Sequence, residues 1–197
     1  EILAADPRWL EVILRVAAVW WLIAFLWLAL RARSGGRFAA GVAGLLVLVP
    51  AGIGLSHLVM LQPHGQLLLL YLLVLIAAAD VGAYFGGRTF GRRKLAPRVS
   101  PNKTWEGFWS GVAAAACAAW VGGWLLGKPL LPWVGVCVVV ALASVVGDLV
   151  ESMFKRQAGL KDSSSLLPGH GGVLDRLDSL SAAGPMFLLG LSLLGRV

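Results

Sequence analysis

The chain has 197 residues and a formal net charge of +7, and 58% of its residues are hydrophobic whereas only 14% are charged. Its mean hydropathy of +0.81 lies well outside the range of soluble globular domains. The composition therefore excludes an ordinary soluble protein and indicates an integral membrane protein.

Long uncharged runs predict six transmembrane helices, because a membrane span needs about 20 apolar residues. The longest run, residues 38–79, must hold two spans, and Pro63 and Gly65 lie in the break between them. The predicted fold is therefore an all-α, polytopic integral membrane helix bundle. Its six helices are predicted at residues 10–30, 37–56, 66–86, 105–126, 131–154 and 174–195.

Basic residues alternate between loops and so predict the orientation of the chain. The loops after the first, third and fifth predicted helices, with their borders, carry 13 of the 17 basic residues. The loop between the second and third helices has none, and the loop between the fourth and fifth has Lys128 alone. Since short cytoplasmic loops are enriched in Lys and Arg, the three basic loops are predicted to face the cytoplasm. Such charge also attracts anionic lipid and does not by itself indicate a function.

Two acidic residues lie inside apolar segments. Asp80 precedes Arg88 by eight residues, which places it roughly 12 Å along a helix from the charged loop. Asp148 precedes Lys155 by seven residues and is about 10 Å deep by the same rise. A charge at this depth costs at least about 2.5 kcal/mol and usually faces an internal polar cavity. A functional role is therefore favoured over a structural ion pair.

Polar residues of the fifth predicted helix share one face, since positions i, i+3, i+4, i+7 and i+8 form a stripe. These positions are Asp148, Glu151, Ser152, Lys155 and Arg156. The sixth predicted helix follows the turn "PGHGG" at residues 168–172 and carries a second stripe of Asp175, Asp178 and Ser179. Carboxylates from two antiparallel helices, beside cations and a glycine-rich turn, predict a site for a divalent metal and phosphate groups.

Two stretches resemble a known family. "SMFKRQAGLKDSSSLLPGHGGVLDRLD", residues 152–178, resembles the signature of phosphatidate cytidylyltransferases, the CDP-diacylglycerol synthases, which runs S-x-x-K-R-x(4)-K-D-x(5)-P-G-H-G-G-x-x-D-R-x-D. Every fixed position is matched. "DVGAYFGGRTFGRRKLAPRVSPNKTWEG", residues 80–107, is similar to a block shared by bacterial members. Members are usually longer at the N-terminus, so further leading spans are expected upstream of residue 1.

The resemblance implies leading transmembrane helices in residues 1–65 and a catalytic transmembrane domain in residues 66–197, with cytoplasmic loops 87–104 and 155–174. It implies transfer of CMP from CTP to phosphatidate, which gives CDP-diacylglycerol and pyrophosphate. The expected location is a bacterial inner membrane, with the active site facing the cytoplasm. Mg²⁺ is the expected cofactor, no nucleic-acid partner is expected, and a homodimer is the family-level expectation.

The resemblance also implies residue roles. Asp148 and Asp175 are implied as metal ligands and, with Lys155 and Arg156, as catalytic residues. Asp178 is the alternative ligand, because it lies three positions after Asp175. The implied substrate-binding residues are Ser152, Lys161, Arg176, His170, Gly171, Gly172, Lys103, Asp80 and Tyr84.

Two other classes of membrane protein are alternatives for such a pattern. A CTP-dependent polyprenol kinase would release CDP in place of pyrophosphate, and a transporter would place its polar residues near the bilayer midplane. His170 is expected to order its loop or contact pyrophosphate, since an anionic phosphate nucleophile needs no strong base. Cys117 and Cys137 lie in apolar runs and are predicted to be packing residues. Trp133, near a span end, is predicted to be an interfacial anchor.

Overall fold

The structure is a computed structural model that describes residues 7–30, 36–160, 163–164, 172 and 174–195, without the side chains of residues 7, 36–40 and 176. The described residues form six helices and one small sheet. The helices are α1 (Pro7–Ala29), α2 (Gly36–Met60), α3 (Gly65–Phe90), α4 (Trp105–Leu125), α5 (Leu130–Gln157) and α6 (Leu174–Leu193). The two strands are β1 (Lys94–Ala96) and β2 (Ser100–Thr104), which pair antiparallel between α3 and α4.

The lengths and composition of the helices confirm the predicted polytopic membrane bundle. Each of α1 to α5 contains a stretch long and apolar enough to cross a membrane, and α6 contains a shorter apolar stretch, Leu177–Leu193. Some helix ends differ from the prediction. Helix α2 continues to Met60 and α3 to Phe90, each four residues beyond the predicted ends at residues 56 and 86. Hydropathy marks where a segment becomes polar, whereas helical hydrogen bonding continues into the polar loop.

Glycine allows α3 and α4 to approach closely. A Cβ atom added to Gly111 on α4 would lie 2.7 Å from the carbonyl oxygen of Ala79, and one added to Gly107 would lie 2.7 Å from that of Ala83. Small residues permit this backbone approach between helices in a membrane, where lipid offers no hydrophobic drive for association. The contact fixes α3, and with it Asp80 and Tyr84, beside the start of α4.

The β1–β2 hairpin was not predicted, because its residues lie in a charged loop without strand-like alternation. Thr104 caps α4 by accepting a hydrogen bond from the Gly107 amide at 3.1 Å. The Glu106 carboxylate accepts bonds from the backbone amides of Arg92, at 3.0 Å, and Arg93, at 3.2 Å. These bonds hold the hairpin against the start of α4 and thereby position Lys103 on β2.

The far end of the bundle is closed by an aromatic cluster. Trp133 and Phe187 are both 0% exposed, and the Trp133 indole donates to the Tyr71 hydroxyl at 3.1 Å. The predicted role of Trp133 as an interfacial anchor is therefore wrong, since the ring packs between α3, α5 and α6 in the core. Cys137 is buried beside Tyr71, as predicted for a packing residue, whereas Cys117 is exposed.

Candidate active site

Asp148 on α5 anchors the first of two ion pairs at the loop-bearing end of the bundle. Its Oδ2 atom is ion-paired with the ammonium of Lys103 from the hairpin, and both side chains are 29% exposed. The Ser152 hydroxyl, one turn further along α5, donates to Asp148 Oδ1 at 3.3 Å. The predicted stripe on α5 therefore exists, and it extends to a base supplied by another element.

Lys155 forms the second ion pair, between α5 and α6. Its Nζ atom lies 2.7 Å from Asp175 Oδ1 and 3.2 Å from Glu151 Oε1. The three side chains are only 10–16% exposed. Because an isolated buried charge is costly, an ammonium at this depth requires carboxylates around it. Lys155 thus links the end of α5 to the first turn of α6.

Asp175 is surrounded by hydrogen-bond donors. Its carboxylate accepts from the Ser163 amide and hydroxyl, each at 2.9 Å to Oδ2, from the Gly172 amide at 2.7 Å, and from Lys155. Burial by itself would raise the pKa of the Asp175 carboxyl, but Lys155 and these donors outweigh it and hold that pKa well below its usual range. Asp175 therefore stays ionised and fixes the loop between α5 and α6 at two points.

Gly172 lies in a tight position within this loop. A Cβ atom added to it would meet the Ser163 hydroxyl at 2.0 Å and the Ser164 hydroxyl at 2.8 Å. A larger side chain would therefore separate Gly172 from Ser163 and weaken the bonds that both make to Asp175. The predicted substrate-binding role of Gly172 stays a prediction, and the structure shows it closing the loop around a carboxylate.

Asp178 and Asp80 complete the acidic surroundings of Asp148. Charge interactions reach Asp148 from Asp80 on α3 and from Asp178 on α6, and Asp178 also lies within electrostatic reach of both Lys103 and Lys155. The Asp178 carboxylate accepts from the backbone amide of its neighbour Ser179 at 2.6 Å. Helices α5 and α6 cross closely here, since a Cβ on Gly147 would lie 2.6 Å from the Asp178 carbonyl oxygen.

A cavity of about 560 Å³ opens beside the Lys103–Asp148 pair, between α3, α4, α5 and the hairpin. We call it the hairpin cavity. Its polar lining comprises Asp80, Tyr84, Arg88, Asn102, Lys103 and Thr104. Arg88 donates to the Tyr84 hydroxyl at 2.9 Å and lies above the Tyr84 ring. A volume of this size suits a small ligand, and the cations suit an anionic one.

Some predicted residues lie beyond the described part of the chain. Lys161, His170 and Gly171 are outside the described residues, as is the side chain of Arg176. Arg156 lies in the last turn of α5 and is exposed. Of the remaining predicted residues, Asp80, Tyr84 and Lys103 line the hairpin cavity, and Asp148 with its partner Ser152 is connected to the cavity through Lys103. Lys155 is joined with Asp175.

Two contributors were not assigned a role from the sequence. Glu151 was placed on the stripe, and its contact with Lys155 could have been expected from the i, i+4 spacing. Ser163 precedes Asp175 by twelve residues and carries no spacing signal that connects the two. Only the folded loop brings them together.

A divalent cation fits part of this donor set. Among the described residues, no group of three or more His, Cys, Asp or Glu is arranged to hold a metal ion. Mg²⁺, however, uses one or two carboxylates together with substrate oxygens. Asp148 and Asp178 lie within electrostatic reach of each other, whereas the oxygens of Asp175 already accept four donors. Asp175 as a metal ligand stays a prediction, and Asp178 suits the role better in this conformation.

Fold and site together define a polytopic helical membrane protein with a cluster of paired acidic and basic residues at one end. A family model described as the cytidylyltransferase family matches residues 3–194. The chain therefore belongs to the cytidylyltransferase family.

Individual relatives agree with this assignment. The chain is 51% identical over 189 residues to a phosphatidate cytidylyltransferase of Pseudomonas aeruginosa, covering 92% of this chain and 69% of that protein. It is 53% identical over 130 residues to one of Haemophilus influenzae, covering 63% of this chain and 45% of that protein. It is 40% identical over 147 residues to one of Mycobacterium leprae, covering 73% of this chain and 46% of that protein. The chain thus spans between about half and two thirds of these relatives' lengths. The findings support the predicted nucleotidyltransferase and neither the polyprenol kinase nor the transporter.

Proposed function

We propose that this chain transfers CMP from CTP to phosphatidate and releases pyrophosphate. A phosphate oxygen of phosphatidate would form a bond to the α-phosphorus of CTP. The bond from that phosphorus to the oxygen bridging the α and β phosphates would break, and its electron pair would leave with pyrophosphate. The product is CDP-diacylglycerol.

One observation carries the proposal: Lys103 and Lys155 are each paired with a carboxylate, and both lie within electrostatic reach of Asp178, which also interacts with Asp148. Two phosphate groups repel each other, so the reaction needs positive charge between and around them more than it needs a base. Lys103 lines the hairpin cavity and would bind phosphates of CTP. Lys155 would bind the phosphate of the lipid.

Mg²⁺ is proposed as the cofactor. Asp148 would hold it, together with a carboxylate from α6, for which Asp178 is favoured over Asp175. When bound, the ion would neutralise charge on the phosphates, as in other phosphoryl transfers. Lys103 would then exchange Asp148 for a substrate phosphate as its partner. Ser152 would stay hydrogen-bonded to Asp148 and hold the carboxylate in position.

The active site is proposed to face the cytoplasm of a bacterial inner membrane. The basic residues Arg92, Arg93 and Lys94 lie between α3 and α4, on the same side as Lys103 and Lys155, and the charge bias of short loops supports this orientation. Several membrane-spanning helices and bacterial relatives already indicate a multi-pass bacterial membrane protein. A homodimer stays a prediction, which mass determination in detergent would check.

Product analysis tests the proposed reaction. Purified protein in mixed micelles would be given CTP labelled at the γ-phosphate, with and without phosphatidate. Labelled pyrophosphate that forms only with phosphatidate supports the proposal. Release of CDP with a phosphorylated lipid would indicate a kinase, and absence of any phosphatidate-dependent product would contradict the assignment.

A further inference from the structure

A second cavity of about 610 Å³ lies on the opposite side of α5 from the hairpin cavity. We call it the lipid cleft. Its apolar wall comprises Trp21 of α1, Val47 and Leu48 of α2, Val150 and Phe154 of α5, and Leu174 of α6. Its volume falls within the range of small-molecule sites, about 300–1,000 Å³. The proposed reaction assigns no role to most of these residues.

The two cavities are separated by α5 and approach each other at its end. Val145 lines the hairpin cavity and Phe154 lines the lipid cleft. Nine positions on an α-helix correspond to a rotation of about 180°, so these side chains lie on opposite faces. Lys155 lines the lipid cleft, while Asp148 is paired with Lys103 of the hairpin cavity. Ligands in the two cavities would therefore meet at the acid–base cluster.

The lipid cleft contains a buried donor without an acceptor. Trp21 is 6% exposed, and its indole N–H has no hydrogen-bond partner among the described residues. Leaving such a donor unsatisfied costs about 1–3 kcal/mol. A purely hydrocarbon occupant would leave it unsatisfied, whereas a ligand whose carbonyl oxygen reached the indole nitrogen would satisfy it.

The order of chemical groups along the cleft matches that of a phospholipid. Trp21 and Val150 belong to one packed cluster, and Val150 precedes Lys155 by five residues, or about 7 Å along the helix. The Lys155 ammonium carries three donors, and it is paired with Asp175 at 2.7 Å and with Glu151 at 3.2 Å. The cation thus lies nearer the loop end of α5 than Trp21 and Val150 do, as the phosphate of a lipid lies nearer the membrane surface than its ester groups.

We infer that the lipid cleft binds the diacylglycerol part of the lipid substrate, with an ester carbonyl accepting from the Trp21 indole and the phosphate beside Lys155. The inference rests on the proposed function and adds to it a division of the site. The lipid reaches the reaction centre from the α1–α2 side of α5, and the nucleotide reaches it from the hairpin side.

Photo-crosslinking tests where the lipid binds. A phosphatidate probe with a diazirine in one acyl chain would be irradiated with the intact protein in nanodiscs, and labelled peptides mapped by mass spectrometry. We expect adducts on α2 around Val47 and Leu48, and competition by unlabelled phosphatidate. Adducts of equal yield from a matching phosphatidylcholine probe would show an ordinary bilayer lipid in the cleft and overturn the inference.

Filling the cleft gives an independent test. Gly44 lines the cleft, and a Cβ added there has no neighbour within 4 Å among the described residues, so Gly44→Phe can occupy the space without a clash with their backbone. Gly52→Phe is the matched control, because Gly52 is on the same helix, is equally open, and does not line the cleft. We expect Gly44→Phe to raise KM for long-chain phosphatidate about ten-fold, with an unchanged KM for CTP and an unchanged kcat on a dihexanoyl substrate.

The outcomes separate the two proposals. A wild-type protein that releases no pyrophosphate with phosphatidate contradicts the proposed function itself. An active wild-type protein whose Gly44→Phe and Gly52→Phe variants have the same KM for long-chain phosphatidate contradicts the lipid cleft alone.

Discussion

The Lys155 ammonium lies 2.7 Å from the Asp175 carboxylate, and this contact joins the last turn of α5 to the first turn of α6. The same carboxylate accepts from Ser163 and Gly172 in the connecting loop. One acidic side chain therefore fixes the relative position of two helices and the loop between them. Loss of the Asp175 carboxylate should therefore disturb the geometry of the site more strongly than it disturbs the binding of a metal ion.

Mutation of the carboxylates should separate metal binding from loop anchoring. Asp148→Asn and Asp178→Asn remove an anionic ligand, so each should raise the Mg²⁺ concentration needed for half-maximal activity. Asp175→Asn should lower kcat at least as strongly but leave that concentration unchanged, because its partners are protein donors. Mg²⁺ titrations of pyrophosphate release would measure this. If only Asp175→Asn raised the Mg²⁺ requirement, Asp175 and not Asp178 would be the metal ligand from α6.

The two lysines of the hairpin should contribute differently to catalytic efficiency. Lys103 is paired with Asp148, whereas Lys94 is exposed on β1 of the same hairpin. Charge-assisted hydrogen bonds contribute about 1.5–3 kcal/mol, so Lys103→Ala should lower kcat/KM roughly ten- to hundred-fold. Lys94→Ala should lower it less than about two-fold, since exposed charges contribute about 0–1 kcal/mol. Equal losses measured by initial rates would mean that general attraction of anions explains the basic hairpin.

The depressed pKa of Asp175 predicts a specific pH dependence of stability. A carboxyl whose pKa is lower in the folded state stabilises that state above its unfolded pKa of about 3.9, and this contribution is lost as the pH falls through the folded value. The difference in melting temperature between wild type and Asp175→Asn in detergent should thus be constant from pH 7 to about pH 5. It should shrink only below about pH 4. A difference that already disappears between pH 7 and pH 5 would contradict the ion pair.

The close approach of α3 and α4 should tolerate no added methyl group. A Cβ at Gly111 would lie 2.7 Å from a carbonyl oxygen, whereas one at Gly135 on α5 has no neighbour within 4 Å in the described part of the chain. Gly111→Ala should destabilise the protein by about 1–3 kcal/mol through overpacking. Gly135→Ala should be neutral or slightly stabilising, because alanine favours a helix. Thermal unfolding in detergent would compare them, and equal melting temperatures would contradict the packing.

The proposed orientation predicts which loops can be labelled. A cysteine at Arg93 in the hairpin should react with a membrane-impermeant maleimide only from the cytoplasmic side. A cysteine at Gln62, between α2 and α3, should react only from the opposite side. A Cys117→Ser background removes the exposed native thiol. Labelling of both positions from one side would contradict the alternation of loops.

The sequence predicted the parts of the fold that depend on the bilayer. Long apolar runs gave the six helices, since hydrocarbon requires every backbone polar group to be bonded within its own segment. Pairing of the α5 stripe with α6 was also predictable, because helices joined by one loop pack as antiparallel neighbours. The link between Lys155 and Asp175 is the outcome of that packing.

Features that depend on distant partners could not be predicted. Trp133 is near a span end in the sequence, but the acceptor of its indole is Tyr71, 62 residues away. The hairpin depends on Glu106 binding the backbone of Arg92 and Arg93, a contact without any motif. The same residues would form different hydrogen bonds if the helices packed differently. The local sequence pattern therefore carries no information about these long-range bonds.

The anchoring of the hairpin by Glu106 has a practical consequence for handling the protein. The bonds that hold the hairpin lie at its base, between Arg92, Arg93 and the start of α4, whereas Pro97 and Arg98 are exposed at its tip. Exposed tips tolerate insertion because few contacts of the fold depend on them. A short epitope or a fluorophore attachment sequence inserted between Pro97 and Arg98 would leave Lys103 in register. The tip is thus a place to attach a reporter within about five residues of the site.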